Sequence, residues 1–329
     1  MSEAAPEPKE HHAARPRVIA VVGPTGVGKS AAAEELAVRL DGEIITADSM
    51  QVYRGMDIGT AKQPREARRV PHHCINQVEP GTPYSAALYQ EHARKRIDDV
   101  AARGKVPVLV GGTGLYVRAA LDVMEFPKSD AASGTRAALE AELERVGPEA
   151  MYAMLQERDP EAATLIHRNN TRRVIRALEM LEDADVSYAV TREHFPQRVP
   201  YYPATYIGLT MDRDPLYRRI DERVDAMMAA GLLDEVAGLL SSGYREALTA
   251  AQAIGYKELV PVLDGSGDLE SAVAAIKQAS RRYAKRQLTW FRADPRIRWI
   301  DVTELSPAET VEAMLALVES GAGETEPPA

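Results

Sequence analysis

A chain of 329 residues, 45% hydrophobic and 27% charged, can bury a core and reads as roughly two domains, or one large domain with an insertion. Forty Lys and Arg against 49 Asp and Glu give a formal charge of −9, which excludes a uniformly basic nucleic-acid coat but not a local basic patch. The one cysteine, Cys74, excludes an intrachain disulfide and a Cys-x-x-Cys zinc site and fits a reducing cytoplasm, and no apolar run approaches the ~20 residues of a membrane span.

Residues 1–16 lack the apolar centre of a signal peptide and are expected to be a disordered tail, as are 319–329. VIAVVG (18–23) is an apolar, β-branched run ending at glycine, the signature of a buried parallel strand. SAAAEELAVRL (30–40) has helix composition. EIITAD (43–48), VPVLVGG (106–112), IGLTMD (207–212) and IRWIDV (297–302) repeat the strand type. Strands alternating with helical segments predict an α/β fold with a parallel sheet. The alternation breaks at 125–203. RAALEAELERV (136–146), EAMYAMLQERD (149–159) and NNTRRVIRALEML (169–181) are amphipathic helices, and Asp159-Pro160 reads as an N-cap with proline at the first helical position. The expectation is a core from 17–124 and 204–318, with C-terminal helices, interrupted by a helical insertion domain at 125–203.

Gly23-Pro24-Thr25-Gly26-Val27-Gly28-Lys29-Ser30 matches G-x-x-x-x-G-K-[ST] between a strand and a helix. The glycines let backbone N–H groups turn inward around a di- or triphosphate, Lys29 adds a positive charge, and the Ser30 hydroxyl is placed for Mg²⁺. Phosphate binding follows; a nucleotide does not. An ATPase of this type carries an Asp at the end of an apolar strand, yet VPVLV ends in Gly111-Gly112-Thr113. Asp48, after EIITA, could organise a metal, accept a proton from a nucleophile, or merely cap a turn. It leaves kinase and transferase open.

These segments resemble the tRNA dimethylallyltransferases, also called tRNA isopentenyltransferases, of bacterial type. The resemblance rests on GPTGVGKS (23–30), ADSMQVYRGMDIGTAK (47–62), VPHHCIN (70–76), GGTGLY (111–116), HRNNTRRVIRALE (167–179), AIGYKE (253–258) and AKRQLTWFR (284–292), in that order. It implies a P-loop NTPase-like core whose loop holds the diphosphate of dimethylallyl diphosphate. It implies a transfer to the N6 amine of the adenine 3′-adjacent to the anticodon, with release of diphosphate. A small-molecule or nucleotide kinase on the same core is the alternative. The resemblance gives Asp48 the role of base, and places Thr113 and Arg223 at the diphosphate, with Arg219 a rival to Arg223. It makes Asp48, Ser49, Met50 and Gln51 the acceptor contacts. Further tRNA contacts are Arg136, Arg172, Arg173, Arg176, Gln252, Gly255, Tyr256, Lys257, Lys285, Arg286, Gln287, Trp290 and Arg292. The implied cofactor is Mg²⁺, and the implied partners are the tRNA anticodon stem-loop and dimethylallyl diphosphate, with a cytoplasmic monomer and no membrane.

The charge distribution supports a polyanion partner. Residues 277–298 hold eight basic residues against one acid, Asp294, with Tyr283, Trp290 and Phe291 interleaved, and Arg168, Arg172, Arg173 and Arg176 form a second cluster. A solvated helix face is the other reading of such runs, and Trp290 and Phe291 could equally be core. His72 and His73 have no carboxylate or cysteine at metal-ligand spacing and read as structural.

Overall fold

The computed structural model describes residues 15–126, 134–195, 197–241, 244–245, 247 and 249–320. Packing divides the chain into two units: Met1–Asp122 with Pro200–Ala329, and Val123–Val199. The described strands are β1 (Val18–Val22), β2 (Gly42–Ala47), β3 (His72–His73), β4 (Val106–Gly111), β5 (Ala204–Thr210) and β6 (Ile297–Asp301). The helices are α1 (Lys29–Arg39), α2 (Ala86–Ala102), α3 (Gly114–Leu121), α4 (Thr135–Arg158), α5 (Pro160–Leu165), α6 (Thr171–Ala184), α7 (Tyr188–His194), α8 (Arg213–Ala229), α9 (Leu232–Leu240), α10 (Val260–Leu263), α11 (Leu269–Arg292) and α12 (Pro307–Ser320).

In the first unit the strands form one parallel sheet of order β3-β2-β4-β1-β5-β6. Every residue of β1 and β2 is buried, as a sheet covered on both faces requires. One face packs Ile19, Val21, Val108 and Ile207 against Leu36 of α1 and Met314 of α12. β5 begins at Ala204, three residues before the expected strand, because it pairs with β1 from Val18↔Ala204 onward. The order puts β1 between β4 and β5, so the loops leaving β1, β2 and β4 emerge at one edge. Ligands of open α/β sheets bind at such strand ends.

The chain is ordered beyond the limits expected for the tails. The Arg15 guanidinium donates to the Tyr201 carbonyl at 2.7 Å and lies 3.5 Å from the centre of the Tyr201 ring, and α12 continues to Ser320. The rest of both expected tails, 1–14 and 321–329, lies outside the described residues.

The second unit packs Leu139, Met151 and Leu155 of α4 against Ile166 and against Val174 and Leu178 of α6. Gly147, at φ +82°, interrupts α4, and Pro148 follows in the next helical segment. Asp159 Oδ1 accepts the Ala162 N–H at 3.0 Å and caps α5, with Pro160 first in the helix. The unit closes at Val199, earlier than the expected 203. Pro200 bridges to Asp122, and the Tyr201 N–H donates to the Leu121 carbonyl at 2.7 Å, which draws 200–203 into the sheet unit.

Candidate active site

The loop leaving β1 curls as its glycines predict. Gly26 and Gly28 have φ of +84° and +94°, and Gly28 is the N-cap of α1. Lys29 Nζ folds back to donate to the Pro24 carbonyl at 3.1 Å. The loop borders a cavity of about 100 Å³ whose wall includes Thr25, Lys29, Ser30, Asp48, Gln51 and Arg223. Burial, and then the Arg223 guanidinium, push Lys29 down to about 8, against the pull of Asp48. Burial also lowers Arg223 from its ordinary value, again opposed by Asp48. Two cations and one carboxylate thus share a partly desolvated space, which favours an anion.

Asp48 follows β2. Its Oδ1 accepts the Met50 N–H at 2.9 Å and the Gln51 N–H at 3.4 Å, so the carboxylate caps its own turn and also lines the cavity. Oδ2 accepts no hydrogen bond from the described residues. Gln51 Nε2 donates to the Thr60 carbonyl at 3.0 Å. The 57–60 segment is held by Glu235 of α9, which accepts the N–H groups of Asp57, Ile58 and Gly59 at 3.0, 2.7 and 3.2 Å and the Tyr256 hydroxyl at 2.6 Å. Lys62 is buried beneath it, donating to Asp57 Oδ1, Asn76 Oδ1 and the Tyr53 carbonyl.

The structure gathers Thr25, Lys29, Ser30, Asp48, Gln51 and Arg223 at one cavity. Gly23, Pro24 and Gly26 shape the loop behind them, while Val27 and Gly28 face a separate groove of about 540 Å³ along α1 and α12. That groove includes Arg219, whereas Arg223 lines the cavity with Lys29 and Asp48. Thr113 is differently engaged: its Oγ1 accepts the Ser49 N–H at 3.0 Å and donates to Ser49 Oγ at 3.4 Å.

The basic run of α11 and β6 separates by helical phase and by partner. Lys277 and Arg281 pair with Asp225 and Asp221 of α8, and Arg296 with Asp122 and Asp294. Arg298 bonds the Leu317 carbonyl and Ser320 Oγ at the end of α12. Arg282, Lys285, Arg286, Trp290 and Arg292 are exposed, and Phe291 is core. Two expected tRNA contacts turn inward. Tyr256 is fully buried with its hydroxyl on Glu235, and Gln287 is buried with its amide on backbone groups. Gly255 is also buried, its N–H held by Glu258 at 2.8 Å, whereas Gln252 and Lys257 are exposed. In the second unit Arg172 and Arg173 are exposed, while Arg136 and Arg176 both reach Glu179, at 3.3 and 2.9 Å.

Tyr283, His72 and Gln63 also line the cavity and escaped the sequence reading as site residues. Tyr283 lies one helical turn before Gln287, and the sequence had marked it only as an aromatic within the basic run. His72 stands 3.4 Å from Glu34, and His73 pairs with Glu43 at 2.7 Å. Among the described residues no group of three or more His, Cys, Asp or Glu could hold a metal ion.

A family profile described as IPP transferase matches residues 51–294. The tRNA dimethylallyltransferase of Carboxydothermus hydrogenoformans is 47% identical over 308 residues, covering 93% of this chain and 97% of that protein. The crystal structure of the full-length tRNA isopentenylpyrophosphate transferase of Bacillus halodurans superposes with a TM-score of 0.68 at 43% identity, covering 93% of this chain and 98% of the other. A eukaryotic dimethylallyltransferase acting on tRNA superposes with a TM-score of 0.76 at 31% identity, over 95% of this chain and 80% of the other.

Proposed function

This chain belongs to the IPP transferase family, and from that premise we propose that it transfers a dimethylallyl group from dimethylallyl diphosphate to the N6 amine of the adenine 3′-adjacent to the anticodon of tRNA. The observation that carries the reading is the meeting of Lys29, Arg223 and Asp48 on one cavity beside the phosphate loop. The diphosphate lies against the loop where it presents Thr25, Lys29 and Ser30, with Lys29 and Arg223 offsetting the charge that gathers as the allylic C–O bond breaks. The N6–carbon bond forms, the amine proton passes to Asp48 Oδ2, and diphosphate leaves. The target adenine leaves its stack to reach this carboxylate.

Mg²⁺ fits the donor set. Ser30, Thr46 and Asp48 offer hard oxygens to the cavity without a multi-carboxylate cage, which suits an ion held by one or two protein oxygens and by phosphate. Bound there, it would neutralise charge on the departing diphosphate. Each unit offers exposed cations to the anticodon stem-loop: Lys285, Arg286 and Arg292 on α11, and Arg172 and Arg173 on α6. No described helix is long and apolar enough to cross a membrane. A cytoplasmic location accords with a tRNA substrate.

Incubation with unmodified tRNA, labelled dimethylallyl diphosphate and Mg²⁺, without ATP, tests this. Label on tRNA supports the transferase; absence of label, with ATP-dependent phosphate transfer instead, would establish the kinase.

A further inference from the structure

Gln287 belongs by sequence to the charged run of α11, but helical phase turns it away from Lys285 and Arg286 and into the sheet unit, 5% exposed. Both polar atoms of its amide meet backbone. Oε1 accepts the Thr25 N–H at 2.9 Å, and Nε2 donates to the Gly112 carbonyl at 2.9 Å. Thr25 lies in the phosphate loop after β1, and Gly112 in the turn after β4. The approach to that turn is close: a Cβ at Gly112 would collide with the Gln287 side-chain nitrogen, and one at Gly114 with the Trp290 indole. Two of the glycines of GGTGLY are therefore explained by the docking of α11. Thr113, next in the same turn, holds the Ser49 N–H beside Asp48.

We propose that Gln287 is a positioning residue of the transferase site, whose amide locks the phosphate loop and the Gly112–Thr113 turn into one cradle and so sets the affinity for diphosphate. The inference rests on the diphosphate reading of that loop. Glutamine suits the task because it presents one acceptor and one donor in a single plane, facing an N–H and a C=O. A methionine supplies neither. A carboxylate supplies two acceptors and sets one against the Gly112 carbonyl, whereas a neutral carboxylic acid restores the acceptor–donor pair.

The test is the equilibrium affinity for inorganic pyrophosphate with Mg²⁺, from about pH 6 to 8.5, for wild type, Gln287→Met and Gln287→Glu. Position 287 shares its cavity with Lys29, Asp48, Arg223, His72 and Tyr283, so the variant-to-wild-type ratio is the quantity read, which removes titrations common to both proteins. Gln287→Met is expected to lose about tenfold at every pH, one buried hydrogen-bonded pair being worth roughly that factor. Gln287→Glu is expected to lose about tenfold at the alkaline end and to recover most of it at the acid end, as burial favours the neutral acid. Affinity for tRNA stays within about twofold in both, because the exposed cations of α11 are unchanged. Gln287→Met within about twofold of wild type, or a pH-independent ratio for Gln287→Glu, overturns the proposal. If the methionine variant does not fold, the glutamate ratio alone decides. Wild-type protein that fails to bind pyrophosphate refutes the diphosphate reading, and this proposal with it.

Discussion

Thr113 Oγ1 accepts the Ser49 amide hydrogen at 3.0 Å, tying the turn after β4 to the turn after β2. The turn that carries Asp48 is thereby held from three sides. Asp48 caps it from within, Thr113 holds Ser49, and the Thr60 carbonyl takes the Gln51 amide. A carboxylate fixed through Oδ1 holds a constant orientation at the cavity wall. Such fixing is what a general base requires geometrically.

Asp48→Asn retains the acceptor that caps Met50 and removes the proton acceptor. Its single-turnover transfer rate should fall by about 10²–10⁴, with tRNA affinity within about twofold of wild type. An unchanged single-turnover rate would take Asp48 out of the reaction.

The depressed Lys29 gives donor binding a pH dependence with a definite sign. Below about 8 the ammonium is already charged; above it, an anion must first recruit a proton. Pyrophosphate affinity should therefore fall as pH rises past about 8, by up to about tenfold per unit, with proton uptake on binding. Arg223→Gln removes a repelling charge and should move the inflection upward while weakening affinity at pH 7. Titrations in buffers of different ionisation enthalpy measure both effects. An inflection that moves downward in the variant would contradict this electrostatic account.

Glu235 is not among the residues lining the cavity, yet it accepts four hydrogen bonds that shape the 57–60 segment. Glu235→Ala strands those donors at about 1–3 kcal/mol for each one left buried, loosens Thr60 and releases Gln51. The expected result is a lower melting temperature and a raised KM for tRNA, with pyrophosphate affinity unchanged. Equal losses for both substrates would show that the segment serves the whole site instead.

Glu43 links β2 to Arg103 and His73. Mainly the Arg103 hydrogen bonds, helped by His73 and opposed by burial, hold its carboxyl at about 2 against an ordinary 4.5. The stabilisation is complete above 4.5 and is lost as pH falls toward 2, because the unfolded chain binds the proton first. Glu43→Gln should lower the melting temperature at neutral pH and flatten its decline in acid. An acid branch identical to wild type would assign that decline to other carboxylates.

Strands β1, β2, β4, β5 and β6 and the phosphate loop were legible because their signal is local: continuous β-branched runs, and glycines at fixed spacing; the two-residue β3, His72–His73, carries no such run and was missed. The cap at Asp159 was legible for the same reason, whereas the break that Gly147 makes in α4 was not read from the sequence. Inside KRQLTWFR the sequence mixed two roles that only helical phase separates. Lys285 and Arg286 face out, while Gln287 and Phe291 face in. Tyr256 was misplaced because its motif carries no sign that the hydroxyl ends on Glu235, 21 residues away. Glu235 itself was invisible: its backbone partners lie 176 to 178 residues distant, and a carboxylate that accepts main-chain N–H groups leaves no pairing residue to notice.

The most direct test of the central claim is a competition titration at the phosphate loop, with dimethylallyl diphosphate and ATP against wild type and Lys29→Met. The account predicts that the allylic diphosphate binds, that Lys29→Met weakens it by at least about tenfold, and that ATP does not displace it. ATP displacing the donor from wild type, with donor binding indifferent to Lys29→Met, would contradict it.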